Sequence, residues 1–225
     1  VEIGRVVPLL PIRVVQNGGA THLGQPETGR DCSEEMRTFG AAFLDTIGEV
    51  DGFILKSRSP SCGIKDVKIY PANGKSILSA KGVGFFTGTI IARYPHLPME
   101  DEARLSNARL REHFYTRLFV QARFRHVLSR GTMRELVKFH SEQKLLLMAY
   151  NQAALRRMGR IVANPEKRKT AEVFSDYAAQ LSAALEHPAR VTSNINVLMH
   201  ALGYFSEKLS SAEKAFFLET LEQYR

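Results

Sequence analysis

The sequence predicts an α/β domain followed by an all-α helical bundle domain, and three observations support this. Residues 1–90 are rich in glycine, proline and β-branched residues and contain short strand-like apolar runs. From Asn107 onward, apolar residues recur with helical spacing almost without interruption. Between these regions, Tyr94–Asp101 (YPHLPMED) carries two prolines, which interrupt regular structure. We therefore place an α/β domain at residues 1–100 and a helical domain at residues 101–225.

The composition is that of an ordinary globular chain. Apolar residues make up 44% and charged residues 24% of the 225 residues, which excludes a disordered or low-complexity chain. No apolar run approaches the roughly 18 residues of a membrane span, so no membrane partner is expected. Two cysteines, Cys32 and Cys62, cannot form a disulfide framework, and this favours a reducing, cytoplasmic location.

Glycine and proline divide the first domain into short elements. Ser33–Ile47 is predicted to be a helix, because its apolar residues fall on one face. Val50–Leu55 (VDGFIL) has the apolar run of a buried strand, although a helix end has the same pattern. A glycine-punctuated loop at Ser57–Gly63 and a turn at Pro71–Gly74 follow, and residues 83–94 predict a helix that packs on a sheet.

The second domain is predicted to be helical almost throughout. Helix-spaced apolar residues, the helix breakers Gly131 and Pro188, and a capping serine at position 211 mark the boundaries. The predicted helices lie near residues 107–130, 132–163, 170–186, 192–209 and 211–225.

The string Lys56–Gly63 (KSRSPSCG) is the most specific local signal for chemistry. It follows the apolar run directly, and the carboxyl end of a strand is where open α/β sheets bind ligands. Ser59 and Ser61 supply hydroxyls beside Cys62, and nearby lysine and arginine side chains favour a thiolate, the form that attacks electrophiles or binds iron. The alternative is that Cys62 is an ordinary small residue in a turn.

Several segments together resemble a known family. RDCSEEM and GFILKSRSPSCG within Arg30–Gly63, VEIGRVVPLLP at 1–11 and YPHLPMEDEARL within 83–112 resemble the thiouracil desulfidase (TudS-like) family. Three further strings resemble the YbgA-like helical domain that is often fused behind it. They are KFHSEQKLLLMAY at 138–150, GRIVAN at 159–164 and NVLMHALGYFSEKLS at 196–210.

The resemblance implies a desulfidase that acts on thiolated nucleobases. Members hold a 4Fe-4S cluster on three cysteines, and the open iron accepts the sulfur of the substrate as a Lewis acid. In this sequence Cys62 matches the third cluster ligand. Ser59 and Ser61 would line the pocket or steady the cluster through hydrogen bonds. Glu2 lies just after the position of the second ligand motif and is expected near the site.

The sequence also departs from the family pattern. The two other cysteine motifs of the family are not present, and Cys32 occupies a position where packing is its expected role. We therefore expect a truncated three-layer sheet domain that retains one of three cluster ligands and assembles no cluster by itself. The desulfidase activity, on thiolated pyrimidines or related sulfur compounds, is expected of a longer parent protein that is cut at both ends here.

The helical domain carries a second candidate site. His140 and Lys144 are one helical turn apart, and Asn196, His200 and Tyr204 are similarly spaced further along the chain. If those two faces meet, they form a pocket for an anion, a nucleobase or a phosphate. The alternative is that the histidines are ordinary core residues, and no carboxylate stands at ligand spacing to support a metal site.

The charge is unevenly distributed between the two domains. Residues 1–100 carry a net charge of +1 and residues 101–225 a net charge of +7. Arginines and aromatic residues interleave between Arg104 and Arg134, a pattern that suits RNA but equally suits a solvated face beside a hydrophobic one. The alternative function is therefore a basic helical module that binds nucleic acid or another anion, with an inactive α/β remnant.

Overall fold

A computed structural model describes residues 10–72 and 74–225 of the chain. The chain divides into two compact units, Val1–Leu118 and Phe119–Arg225, with the division inside a long helix. The N-terminal unit mixes strands and helices and the C-terminal unit is helical, so the predicted fold classes are confirmed. The exact domain boundary near residue 100 stays a prediction.

The main sheet of the first unit has five strands. They are β1 (Arg13–Asn17), β2 (Ala20–Gln25), β3 (Arg30–Asp31), β5 (Val67–Pro71) and β6 (Ser79–Gly82), in the spatial order β3-β2-β1-β5-β6. β1 and β2 form an antiparallel hairpin, as the glycine-rich segment around His22 suggests, because Gly18 and Gly19 adopt the positive φ angles that its two-residue turn requires. β1 also pairs in parallel with β5, and this pairing brings distant parts of the chain together.

A second, two-stranded parallel sheet positions the candidate site. β4 (Phe53–Leu55) pairs with β7 (Met99–Asp101), with Leu55 opposite Asp101. Since parallel strands end at the same edge, the loop after β4 and the residues after β7 are neighbours.

Two helices complete the core of the first unit. α1 (Ser33–Thr46) and α2 (Phe85–Arg93) agree with the predicted helices to within a few residues. Asp31 lies two residues before Ser33, the first residue of α1, and its carboxylate accepts the backbone N–H of Ser33 at 2.8 Å. The core of this unit includes the fully buried Val14, Leu23, Met36, Leu44 and Ile90.

Six α-helices follow. They are α3 (Ala108–Arg130), α4 (Met133–Glu142), α5 (Lys144–Ala163), α6 (Thr170–Ala184), α7 (Val191–Phe205) and α8 (Ser211–Tyr224). The single helix predicted for 132–163 is therefore wrong in two respects: the backbone of Asn151 leaves the helical region (φ −159°, ψ 95°), and the helix divides at Gln143. The division at Gln143 is not visible in the sequence pattern. Gln143 keeps nearly helical dihedral angles (φ −88°, ψ 0°) and is buried.

The core of the second unit lies among α3 to α6. Leu136, Leu147, Met158, Tyr177 and Leu181 are almost completely enclosed there. In contrast, α7 contributes no fully buried side chain and α8 contributes only Leu221. Among the described residues, no helix is long and apolar enough to cross a membrane.

Candidate functional site

The loop that carries Cys62 lies between β4 and β5 and folds back on itself. The backbone N–H of Gly63 donates to the carbonyl of Ser59 at 2.8 Å. Arg58 adopts a positive φ of 57°, and its N–H donates to the carboxylate of Asp66 at 3.0 Å. A Cβ at Gly63 would lie 2.3 Å from a methyl group of Val67, so only glycine fits there.

The N-terminus of α2 fixes this loop from the other side. The N–H groups of Phe86 and Thr87 donate to the carbonyl of Ser61 at 2.9 and 3.2 Å, and Phe85 donates to the carbonyl of Pro60. These are N–H groups that a helix cannot satisfy internally, and the loop supplies their acceptors. The approach is close, since a Cβ at Gly84 would lie 2.3 Å from the carbonyl oxygen of Ser61.

The structure brings Ser59, Ser61 and Cys62 together in one polar cluster. The two serine hydroxyls lie 3.0 Å apart, and Ser61 Oγ lies 3.4 Å from Cys62 Sγ. Ser59 Oγ also accepts the backbone N–H of Cys62 at 3.2 Å. Because Cys62 is only partly buried, its thiol is accessible to a small molecule. The catalytic and ligand roles of these residues stay predictions.

Glu102, which the sequence reasoning missed, closes the base of the loop. Its carboxylate pairs with Lys56 at 2.5 Å and accepts the N–H of Ser57 at 2.9 Å. The hydrogen bond from Lys56, assisted by those from Ser57, lowers the pKa of Glu102 to about 2. The charge of Lys56, expected to act on the thiol, is therefore balanced by Glu102. Only the pairing of β4 with β7 reveals this contact.

The described residues do not fit a cluster held by three thiolates. The chain has two cysteines, and Cys32 is 0% exposed among apolar side chains, whereas Cys62 is partly exposed in its loop. In residues 10–72 and 74–225, no group of three cysteine, histidine or carboxylate side chains is arranged to hold a metal ion. Packing of Cys32 agrees with its expected role. Glu2 lies outside the described residues.

In the helical unit, His140 has a different partner from the predicted ones. Its Nδ1 lies 3.1 Å from the hydroxyl of Tyr177 on α6, and the two rings meet edge to face. Burial, together with the nearby charge of Lys144, lowers the pKa of His140. Burial also raises the pKa of Tyr177, so its hydroxyl stays protonated. His140 is therefore a half-buried histidine in contact with a core tyrosine.

The pocket predicted from His140, Lys144, Asn196, His200 and Tyr204 stays a prediction. His140 lies in the last turn of α4 and Lys144 begins α5, so the two lie on successive helices, close enough for Lys144 to lower the pKa of His140. Asn196, His200 and Tyr204 follow one another along α7 but are exposed, with Tyr204 67% accessible. Apolar side chains of the same helix are exposed as well, among them Leu198, Met199 and Phe205.

The arginine-rich stretch on α3 divides between core and surface. Phe114 and Phe124 are buried, whereas Phe119 is 64% exposed. Arg130 pairs with Glu135, and Glu135 and Glu142 line a groove of about 340 Å³ together with Arg123 and Lys138. Basic and acidic side chains therefore line this groove together, and no observation among the described residues supports the RNA partner suggested by the sequence.

Comparisons with known proteins agree with this division of the chain. Residues 1–102 match the family model described as 2-thiouracil desulfurase, and residues 144–225 match one described as a protein of unknown function (DUF1722). The chain is also 32% identical over 101 residues to the uncharacterized protein YbgA of Escherichia coli (strain K12). That alignment covers 44% of this chain and 58% of the relative, so the chain spans little more than half of the relative's length. No solved structure matches.

Proposed function

We propose that this chain, which joins a domain of the 2-thiouracil desulfurase type to a YbgA-like helical domain, belongs to a desulfidase that acts on thiolated pyrimidines or related sulfur compounds. The match of residues 1–102 to the desulfurase family carries the proposal. The partly exposed thiol of Cys62 between a helix N-terminus and two hydroxyls supports it.

The net reaction replaces a C=S group by C=O. One water molecule supplies the oxygen to the ring carbon, and its two protons leave with the sulfur as hydrogen sulfide, so no external oxidant or reductant is required. In this chain, Cys62 would contact the sulfur-binding centre, and Ser59 and Ser61 would orient it through their hydroxyls. Glu2 is proposed near the same site.

We further propose that Cys62 is one of three ligands of a 4Fe-4S cluster in the active protein. The other two thiolates must come from cysteines that these 225 residues do not contain, since Cys32 is enclosed in the core. Such a cluster and the free thiols of both cysteines suit a reducing cytoplasm.

The test is anaerobic iron–sulfur reconstitution, followed by the loss of the ultraviolet absorbance of 2-thiouracil. The 225-residue chain is compared with a chain extended upstream through the family's two further cysteine motifs. We expect a cluster and turnover in the extended chain, and their loss in its Cys62→Ser variant. Cys32→Ala in the same background is the control, because it removes a thiol of equal type from the core and is expected to keep the cluster.

Two outcomes contradict the proposal. A cluster in neither chain would remove the iron–sulfur chemistry. If an active cluster survives Cys62→Ser but not Cys32→Ala, then Cys32 and not Cys62 is the ligand.

A further inference from the structure

A second cavity lies on the five-stranded sheet, apart from the Cys62 loop. It has a volume of about 340 Å³ and is lined by residues of β1, β2, β3 and their connections, with Ala72 after β5. Val14 and Leu23 point to the core, so Arg13 and Val15, which alternate with them, face the opposite side of the sheet. Arg13, Asn17, His22 and Arg30 give this cavity a polar wall, to which Gln25 and the carboxylate of Asp31 also belong.

Arg13 is the unusual member of this wall. Its Nε is buried and has no hydrogen-bond partner, and its guanidinium stands 5.1 Å from the ring centre of Tyr70. No described carboxylate forms an ion pair with it. A buried N–H without an acceptor is unfavourable, because it has lost water without gaining a partner.

The other charges around the cavity are already paired. His22 Nδ1 lies 2.9 Å from Asp31, and Arg30 pairs with Glu35 at 2.9 Å. Although burial raises the pKa of Asp31, hydrogen bonds from Ser33 and His22 outweigh it and lower that pKa, so Asp31 stays ionised. Both carboxylates therefore already have partners, and no described carboxylate forms an ion pair with Arg13.

We propose that this cavity binds a small organic anion, whose carboxylate or phosphate group is held by Arg13. Because Nε is enclosed, the two terminal Nη groups of Arg13 would hold the anion, and together they form a planar fork that matches two oxygens of either group. The ring of Tyr70 holds the plane of that fork. The cavity volume lies at the small end of the range for ligand pockets, so the cavity suits a small ligand. This site is independent of the desulfidase proposal.

The test follows the arginine Nε–Hε signals of the 15N-labelled 225-residue chain by NMR. Arg13→Lys identifies the Arg13 signal by its disappearance. The wild-type chain is then titrated with inorganic phosphate and, separately, with acetate, with sodium chloride keeping the ionic strength constant. We expect a saturable shift of the Arg13 signal with at least one anion, and the anion that binds more tightly identifies the group recognised.

Arg37 provides the matched control. Its guanidinium also stacks on an aromatic ring, 5.3 Å from the centre of Phe85, but it pairs with Glu34 outside the cavity. Its signal should not saturate, and Arg37→Lys should leave the affinity unchanged. Arg13→Lys should weaken binding by at least about tenfold, since an ammonium cannot form the fork.

A second variant guards against a folding defect. Arg30→Gln removes positive charge from the cavity wall without touching Arg13, and we expect severalfold weaker binding with the Arg13 signal still present. The proposal is overturned if neither anion shifts the Arg13 signal to saturation. It is also overturned if Arg13 and Arg37 respond equally, because that would show only general charge attraction.

Discussion

The Cys62 loop and the His140–Tyr177 pair differ in how their geometry is determined. The loop is held largely by residues close in sequence, with Ser59, Ser61 and Gly63 bonded to one another, and by the start of α2. The His140–Tyr177 contact joins residues 37 positions apart on two helices. A local cluster can be recognised from a string of residues, whereas a contact between helices depends on how they pack.

The two regions also differ in how far their polar groups are exposed to solvent. The loop places polar atoms beside a partly exposed thiol, as a site for a small molecule requires. The helical pair packs the phenol of Tyr177 against Phe124 and Phe139, and its hydroxyl lies within hydrogen-bond distance of the half-buried imidazole of His140. The first arrangement favours chemistry, and the second favours stability.

The largest expected effect comes from Gly84→Ala, which tests how tightly α2 holds the Cys62 loop. The new Cβ would lie 2.3 Å from the carbonyl of Ser61, so the helix or the loop must move. We expect the free energy of unfolding to fall by about 3 kcal/mol, as in overpacked sites. Urea unfolding followed by circular dichroism measures this change.

The control for this variant is Gly88→Ala on the same helix. A Cβ at Gly88 would meet no atom within 4 Å, so the substitution should stabilise the helix by about 0.5–1 kcal/mol. If both substitutions change the free energy of unfolding equally, then α2 does not approach the loop as closely as described.

A smaller effect is expected from Tyr177→Phe in the helical unit. The variant keeps the ring but leaves His140 Nδ1 half-buried without its partner, and we expect a loss of about 1–2 kcal/mol in unfolding free energy. Tyr204→Phe is the matched control. Since Tyr204 is 67% exposed, its hydroxyl is hydrated in either state and its removal should be nearly neutral. A costly Tyr204→Phe would instead support the pocket that the sequence predicts on α7.

Much of the fold is predictable because local patterns determine it. The helix at Ser33–Thr46 and the strand before the Cys62 loop each follow from neighbouring residues. The division at Gln143 does not, since its backbone stays nearly helical and apolar spacing continues on both sides. A one-residue interruption of this kind leaves no clear mark in the sequence.

The candidate site shows the same limit. Ser59, Ser61 and Cys62 are found from the string alone, whereas Glu102 enters only because β4 pairs in parallel with β7. Arg13 and Tyr70 likewise meet because β1 pairs in parallel with β5, although 57 positions separate them. Non-local strand pairing is therefore what sequence reasoning missed, in both the expected site and the further one.

The smallest expected effect concerns the pH dependence of the helical pair. Burial and then the charge of Lys144 lower the pKa of folded His140 below its ordinary value of 6.5. Between that value and the lower folded pKa, the unfolded chain binds more protons, so this group's contribution to stability falls as pH decreases. Lys144→Gln should raise the pKa of His140 toward its ordinary value, as measured by NMR titration of the imidazole. Lys138→Gln is the control, because Lys138 is exposed beside Glu142 on the same helix as His140 and should leave this pKa unchanged. If both substitutions raise the pKa of His140 equally, that pKa depends only on the overall charge of the basic domain. The specific effect of Lys144 across the α4–α5 junction would then be wrong.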